Sequence, residues 1–360
     1  MRVLMTIDAV GGVWRCGIDL ARQLGEEGIA CLLVGCGPAP GDAQQEECRR
    51  LRNVTLRWSG LPLDWMVTDA AALAHVLGTL VAIARDWRAD LLHLNLPSQA
   101  VGIPDGIPVV VTSHSCLATW WRAVKNCELP ADWRWQQELT GRGLRRADIV
   151  VVPTASHGTA TTAVYGPLAR LQIVANATDA QLGGGAKQPF VLGAGRWWDE
   201  GKNVATADAA AALSHWPVRL AGALDCANAS PVAPRCAERL GSLSPVAMRA
   251  QMRQAAIFFS PALYEPFGLA VLEAAASGCA LVLSDIPSFR ELWTGAALFV
   301  PTRDAAGFAA AINHLADDPT EREALGRRAA ARARDFTLFD QAAHVRQVYR
   351  AALAADVLAA

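Results

Sequence analysis

The run Glu265-Pro266-Phe267-Gly268-Leu269-Ala270-Val271-Leu272-Glu273 decides how this chain reads. Just before it, Ile257-Phe258-Phe259-Ser260-Pro261 is an apolar segment closed by a breaker, the pattern of a buried strand. Pro266 suits the first turn of a helix, where its missing N–H costs nothing. The spacing predicts a helix through Leu269-Ala270-Val271-Leu272-Glu273-Ala274-Ala275-Ala276 that stops near Gly278. A strand that feeds a helix N-terminus makes an anion site. The first backbone N–H groups there are free, and the helix dipole favours negative charge.

A carboxylate stands at each end of the run. If the whole span is helical, Glu265 and Glu273 are separated by about 12 Å at a rise of about 1.5 Å per residue. A glycosidase pair stands roughly 5 to 10 Å apart across one bond. The wider spacing suits a long ligand with an anionic middle and a polar group at each end. A nucleotide-sugar has that form. Its pyrophosphate would lie on the N–H groups after Glu265, its sugar near Glu265 and its ribose hydroxyls near Glu273.

In these residues the chain resembles the retaining glycosyltransferases of family 4 (glycosyl transferases group 1). Their signature is a Glu, seven residues and a second Glu, often with Pro-Phe-Gly after the first. The run from Glu265 to Glu273 carries it, and Ser277-Gly278-Cys279-Ala280-Leu281-Val282-Leu283-Ser284-Asp285 follows. The resemblance covers nearly the whole chain and is most specific in the second half. It implies the GT-B fold: two Rossmann-like, doubly wound α/β domains facing across a cleft.

The rest of the sequence agrees with that class. Strand-like and helix-like segments alternate from Val3-Leu4-Met5-Thr6-Ile7 onward. Leu91-Leu92-His93-Leu94, Val109-Val110-Val111-Thr112 and Ile149-Val150-Val151-Val152 are continuous apolar runs, which suit parallel strands buried on both faces. The stretch 176–187 is polar and Gly-rich and reads as a hinge. After it the alternation restarts at Phe190-Val191-Leu192-Gly193-Ala194. The expected division is an acceptor-side domain over 1–175, a linker over 176–189, a donor-side domain over 190–339 and a C-terminal helix over 340–360. The resemblance implies that this last helix packs back on the first domain.

Composition excludes several classes. The chain has 360 residues, 52% hydrophobic and 19% charged, so it affords large cores and is not disordered. A net charge of -1 gives no electrostatic reason to expect nucleic acid. Nine cysteines without a Cys-x-x-Cys pair read as free thiols in a reducing cytoplasm. No signal peptide and no membrane-spanning run is evident. Arg322, Arg327, Arg328, Arg332 and Arg334 offer at most a weak peripheral contact to an anionic membrane. The plainer reading is a solvated helix face.

Three further places carry chemistry. Gly11-Gly12 follows the first strand, where paired glycines admit a ligand close to the backbone and permit positive φ; they also read as a tight turn. The dinucleotide fingerprint is absent. The resembled family has a glycine pair here that faces the donor phosphates or the acceptor, with a basic residue soon after, which Arg15 matches. His114 follows the strand Val109-Val110-Val111-Thr112 at a strand C-terminus, where an open sheet binds ligands. A lone His is more often structural, but the resemblance implies a His that meets the donor sugar. Arg196 and Lys202 lie in Gly195-Arg196-Trp197-Trp198-Asp199-Glu200-Gly201-Lys202-Asn203. A guanidinium fork and an ammonium suit a pyrophosphate, and the family has both. They would neutralise the leaving diphosphate, so no metal and no cofactor is expected, the nucleotide-sugar being a co-substrate.

Twelve tryptophans are many for this length. Indoles stack on sugars and also bury well; Trp120-Trp121 is the candidate for the acceptor side. At Ser288-Phe289-Arg290-Glu291 the family has a Gly-rich loop and Pro-Glu, so Glu291 reads as a buried or paired structural carboxylate. The expected activity is transfer of a sugar from a nucleotide-diphosphate-sugar, UDP- or GDP-linked, to an acceptor hydroxyl with retention. The donor-side residues are Phe267, Gly268, Leu269 and Glu273 together with Gly11, Gly12 and Arg15; the catalytic ones are His114, Glu265, Arg196 and Lys202. The acceptor, a glycan, lipid or small metabolite, is not named by the sequence. Another GT-B activity, such as nucleotide-sugar epimerisation, and a catalytically silent nucleotide-binding module are the alternatives.

Overall fold

The computed structural model describes residues 1–179, 185–225 and 233–359. The chain divides into two units, Met1–Ala177 with Leu338–Ala360, and Thr178–Thr337. Residues 180–184 of the expected linker lie outside the described residues.

The first unit is a seven-stranded sheet. Its strands are β1 (Arg2–Asp8), β2 (Ala30–Cys36), β3 (Val54–Leu61), β4 (Leu91–Leu94), β5 (Val109–Thr112), β6 (Ile149–Val152) and β7 (Leu171–Ile173). They run in the order β3-β2-β1-β4-β5-β6-β7, and all pairings are parallel. Strands β1, β2, β4, β5 and β6 are buried on both faces, which is why their sequences are mostly apolar without alternation, whereas the edge strands β3 and β7 are only partly buried. Val3, Met5 and Ile7 enter one core with Leu24 and Tyr349, while Leu4 enters the other with Leu80 and Leu92. The helix Leu338–Ala359 lays Ala342, Val345, Val348, Tyr349 and Ala352 into the first of these cores. Its small and β-branched residues at intervals of three and four make one apolar stripe.

The second unit repeats the plan with six strands: β8 (Gln188–Ala194), β9 (Val218–Ala221), β10 (Glu238–Gly241), β11 (Ala255–Ser260), β12 (Ala280–Ser284) and β13 (Ala297–Val300). Their order is β10-β9-β8-β11-β12-β13, again all parallel. The core of this unit joins Val191, Leu220, Ile257, Phe259, Val282 and Phe308.

Three local expectations need correction. Strand β8 begins at Gln188, so it takes two residues from the expected linker. The first helix spans Gly12–Gly25 with Gly11 as its N-cap, so the glycine pair opens the helix and forms no separate tight turn. Gly11 has φ -158, an extended conformation, and neither glycine of the pair is among the positive-φ residues. The pair therefore does not serve a left-handed turn. Pro266 lies ahead of the helix Leu269–Ala276 and not in its first turn, because Gly268 is the N-cap. Glu265 is thus outside the helix, and the helical distance to Glu273 does not apply.

Candidate active site

In an open parallel sheet the ligand crevice opens where the strand order reverses, beyond the strand C-termini. In the second unit the reversal lies between β8 and β11. The segment after β8 carries Arg196 and Lys202, and the segment after β11 carries Glu265. The two segments are tied by their backbones. Gly201 O accepts from Leu263 N at 2.8 Å and from Tyr264 N at 3.4 Å. Asn203, left-handed at φ 59, donates Nδ2 to Pro261 O at 2.9 Å and to Thr302 O at 2.7 Å.

On this frame Lys202 Nζ donates to Glu265 Oε2, each side chain being 18% exposed. Ser288 Oγ donates to the Glu265 carbonyl and fixes the backbone beneath the carboxylate. The sequence placed both residues in the site but not their pairing, which joins positions 63 apart. Arg196 does not join the pair. Its guanidinium lies 3.6 Å from Asp199 and over the Trp198 ring at 5.5 Å from the centroid. Trp197 is core: 2% exposed, with Nε1 donating to Ala221 O at 3.0 Å.

Next to Glu265 the helix Leu269–Ala276 presents its N-terminus with no side-chain cap. Gly268 sits at φ 91, where other residues are strained, and a Cβ there would stand 3.0 Å from Phe289 and 3.3 Å from Cγ of Glu265. Phe267 is buried at 3% and meets Phe336 edge to face at 5.7 Å. Its ring anchors the turn and leaves only its backbone for a ligand. Glu273 follows Leu269 by one helical turn and is half-buried.

In the first unit the reversal lies between β1 and β4. The uncapped helix Gly12–Gly25 starts beyond β1, and Asn95 follows β4. Thr6 on β1 clamps Asn95 twice: Asn95 N donates to Thr6 Oγ1 at 2.9 Å, and Asn95 Nδ2 donates to Thr6 O at 2.6 Å. The second bond settles the amide, because a carbonyl can only accept. Asn95 Oδ1 then accepts from His114 Nε2 at 2.7 Å, which leaves the lone pair on His114 Nδ1. Burial, with His157 nearby, pushes His114 down to about 4, so the imidazole is neutral at pH 7.

The residues beside His114 are held in the same manner. Thr112 Oγ1 meets His93 Nε2 at 2.7 Å, and Ser113 Oγ meets His157 Nε2 at 3.3 Å. His93 Nδ1 reaches Tyr349 Oη of the C-terminal helix at 2.7 Å. Burial lowers His93 to about 3 and His157 to about 4. Sequence reasoning missed Asn95. Its signal was position: a polar residue directly after an apolar strand, as His114 nearly is after the next.

Arg15 stands differently from its expected role. Its Nε donates to Asp19 Oδ2 at 2.7 Å, Nη2 donates to Asp19 Oδ1, and Nη1 donates to Glu47 at 2.7 Å. Two carboxylates occupy the guanidinium in place of a phosphate. Trp120 and Trp121 lie on the helix Leu117–Lys125, with ring centroids 6.0 Å apart and tilted by 59°. Glu291 is exposed and not without a partner, so of the two expected forms, buried or paired, burial is the one that does not hold. In the arginine cluster, Arg322, Arg328 and Arg332 donate to the carbonyls of Leu315, Gly295 and Leu292, so these three brace neighbouring segments, a role that the expected solvated helix face did not include. No described helix is long and apolar enough to cross a membrane.

Comparison with known proteins agrees with the two-unit α/β fold. The sequence model of Glycosyltransferase Family 4 matches residues 10–182, and that of Glycosyl transferases group 1 matches residues 238–332. A glycogen synthase of Mycobacterium tuberculosis is 29% identical over 307 residues, covering 74% of this chain and 70% of that protein. A GDP-mannose:cellobiosyl-diphosphopolyprenol alpha-mannosyltransferase of Xanthomonas oryzae is 32% identical over 262 residues, covering 67% and 64%. In fold, the chain matches a sucrose-phosphate synthase of Thermosynechococcus elongatus with a TM-score of 0.79 at 18% identity, covering 99% of this chain and 100% of that one. Two parallel-sheet α/β units with these structural neighbours define the GT-B fold. The chain belongs to glycosyltransferase family 4 and is an enzyme of the transferase class.

Proposed function

We propose that this enzyme moves a sugar from a nucleoside-diphosphate-sugar to an acceptor hydroxyl, with retention at the anomeric carbon and without a metal. The observation that carries the reading is the Lys202–Glu265 pair beside the uncapped helix at Gly268. An ammonium and free helix N–H groups are the donors a leaving diphosphate needs. Arg196 lies on the same segment and is 42% exposed, so its fork can turn from Asp199 to a phosphate. Glu265 would accept from the donor sugar and Glu273 from the ribose. His114, neutral with a lone pair on Nδ1, suits a sugar hydroxyl and not a nucleophile's role. With no carboxylate assigned as nucleophile, the diphosphate would leave and the acceptor would attack the same face, its proton passing to the departing phosphate. The name of the GDP-mannose-dependent relative favours a sugar donor carried on a nucleotide. The cysteines among the described residues are free thiols, which supports a reducing compartment.

The test is nucleoside-diphosphate release from UDP-, GDP- and ADP-sugars, with and without chelator, beside Lys202→Ala and Glu265→Ala. Release from one donor, insensitive to chelator and lost in both variants, is expected. Release from none would leave the silent-module reading. Product anomeric configuration by NMR decides retention.

A further inference from the structure

A chain of polar groups crosses the otherwise apolar core of the first unit and ends beside the candidate site. Tyr349, on the helix Leu338–Ala359, is fully buried and belongs to the core of Val3, Met5, Ile7 and Val110. Its Oη meets His93 Nδ1 at 2.7 Å, and the two rings stand edge to face at 5.6 Å. His93 Nε2 meets Thr112 Oγ1 at 2.7 Å. A neutral imidazole has one donor and one acceptor nitrogen, and here both are used. In the sheet His93 lies between Met5 of β1 and Val110 of β5, so its strand neighbours are apolar. Apolar side chains of the same shape at these three positions would serve stability as well or better. Their polarity calls for another reason.

The reason lies in the register. The backbone pairing of β4 with β5 runs from Leu92 opposite Val109 to Leu94 opposite Val111. Asn95 and His114 emerge just beyond it. Residues two apart on a strand share a face, so His93 stands on one face with Asn95, and Thr112 with His114. The bonds His93 to Thr112 and Asn95 to His114 have equal offset, each joining residues 19 apart. They are successive rungs on one face, about 7 Å apart along the strands. A charge on His114 would be felt at His93, as neighbouring rungs require. The lower rung thus spaces β4 from β5 at the last point before Asn95 and His114 leave the backbone ladder.

Tyr349 completes the lower rung. Any turn of the His93 ring breaks one of its two bonds, so a hydroxyl at each end fixes its plane. Thr6 of β1 holds Asn95 of the upper rung in the same way, through two bonds. We propose that Tyr349, His93 and Thr112 are positioning residues. They hold β4 and β5 at the spacing at which Asn95 presents His114 to the donor sugar, which makes the C-terminal helix part of the site. The inference rests on the transferase reading above, in which His114 meets a sugar hydroxyl.

Variants of the full chain test it. Tyr349→Phe removes one oxygen and leaves His93 Nδ1 unmatched, so its urea midpoint should fall. The triple variant Tyr349→Phe/His93→Leu/Thr112→Val replaces the whole rung by apolar side chains and should recover that midpoint. In both, kcat for nucleoside-diphosphate release from the preferred nucleotide-sugar should fall about tenfold or more, the effect of a displaced reacting geometry. UDP or GDP affinity should be unchanged, because the diphosphate is assigned to the second unit. The imidazole ¹⁵N signals of His114 should leave the single Nε2–H pattern of the wild type. Val345→Ala, in the same helix and core, is the control: it should cost stability and change neither kcat nor the His114 signals. Recovered stability with wild-type kcat and His114 signals in the triple variant overturns the proposal, as does an equal kcat loss in Val345→Ala. If the triple variant does not fold, Tyr349→Phe decides by the same two readouts. Release from no donor by the wild type would sink the transferase reading, and the His114 signals then decide the positioning: unchanged in Tyr349→Phe, they overturn it; shifted, they sustain the hold of the rung on His114.

Discussion

The two sheets share one strand order, but the crevices at their reversal points carry different chemistry. In the second unit, Lys202 and Glu265 meet as full charges beside a helix N-terminus. In the first, buried Thr6 and Asn95 and half-buried His114 form a chain with no net charge, and the nearby arginine is already matched by two carboxylates. A single topology therefore provides one charged seat and one neutral seat. The first suits a diphosphate and the second suits hydroxyls. The division lies in the residues that follow the strands and not in the strands themselves.

The largest effect is expected on the charged side. Lys202→Ala should lower donor turnover by about 10² to 10³, the range for removing one donor to a developing anion. Its steady-state rate with the preferred nucleotide-sugar is the measure, and a loss below fivefold would remove Lys202 from the leaving-group role. On the neutral side, Asn95→Asp should act through pH. A carboxylate facing His114 Nε2 would raise the imidazole from about 4, so activity should fall on acidification at a higher pH than in the wild type. Superimposable pH profiles would show that Asn95 does not set the state of His114.

The buried histidines also make stability depend on pH. A histidine with a lowered folded pKa takes its proton more readily in the unfolded chain. Its contribution is complete above 6.5, the ordinary value, and is lost as pH falls toward about 4 for His114 and His157 and about 3 for His93. Each should cost about 1.4 kcal/mol per pH unit in that window, seen in urea unfolding at pH 7, 6 and 5. Flat stability over this range would mean that the imidazoles are not held neutral.

Smaller effects separate structural from functional groups. Arg15→Ala should destabilise the first unit by about 2 kcal/mol, because Asp19 is buried and keeps only part of its matching charge from Arg22. Donor turnover should change less than threefold. A large kinetic loss at unchanged stability would restore the phosphate role that the sequence suggested. Gly268→Ala should destabilise the second unit by about 1 kcal/mol for its left-handed backbone and weaken nucleotide binding as the turn shifts. Calorimetry with and without nucleotide reads both.

Local patterns were legible in the sequence. The runs at 109–112 and 149–152 are strands β5 and β6, and Leu269–Ala276 is the helix its spacing indicated. Continuous apolar runs and a terminating glycine are short-range signals, so no partner is needed to read them. Pairings across distance were not legible. The spacing of Arg15 gives no hint of Glu47, since the two meet only once α/β packing brings the helices together. The backbone of Pro266 could equally have opened a helix, and the left-handed Gly268 decided otherwise. The bond from Ser98 to Asp64 and those from Asn203 to Pro261 and Thr302 likewise join separate segments, and no motif spans them.

Calorimetric titration of UDP and GDP into wild type, Lys202→Ala and Arg15→Ala would decide between the charged seat and its neutral counterpart. One nucleotide should bind the wild type and Arg15→Ala alike, and bind Lys202→Ala at least tenfold more weakly, a loss of about 1.4 kcal/mol. Equal binding by Lys202→Ala, or a loss confined to Arg15→Ala, would contradict the assignment of the diphosphate to the second unit.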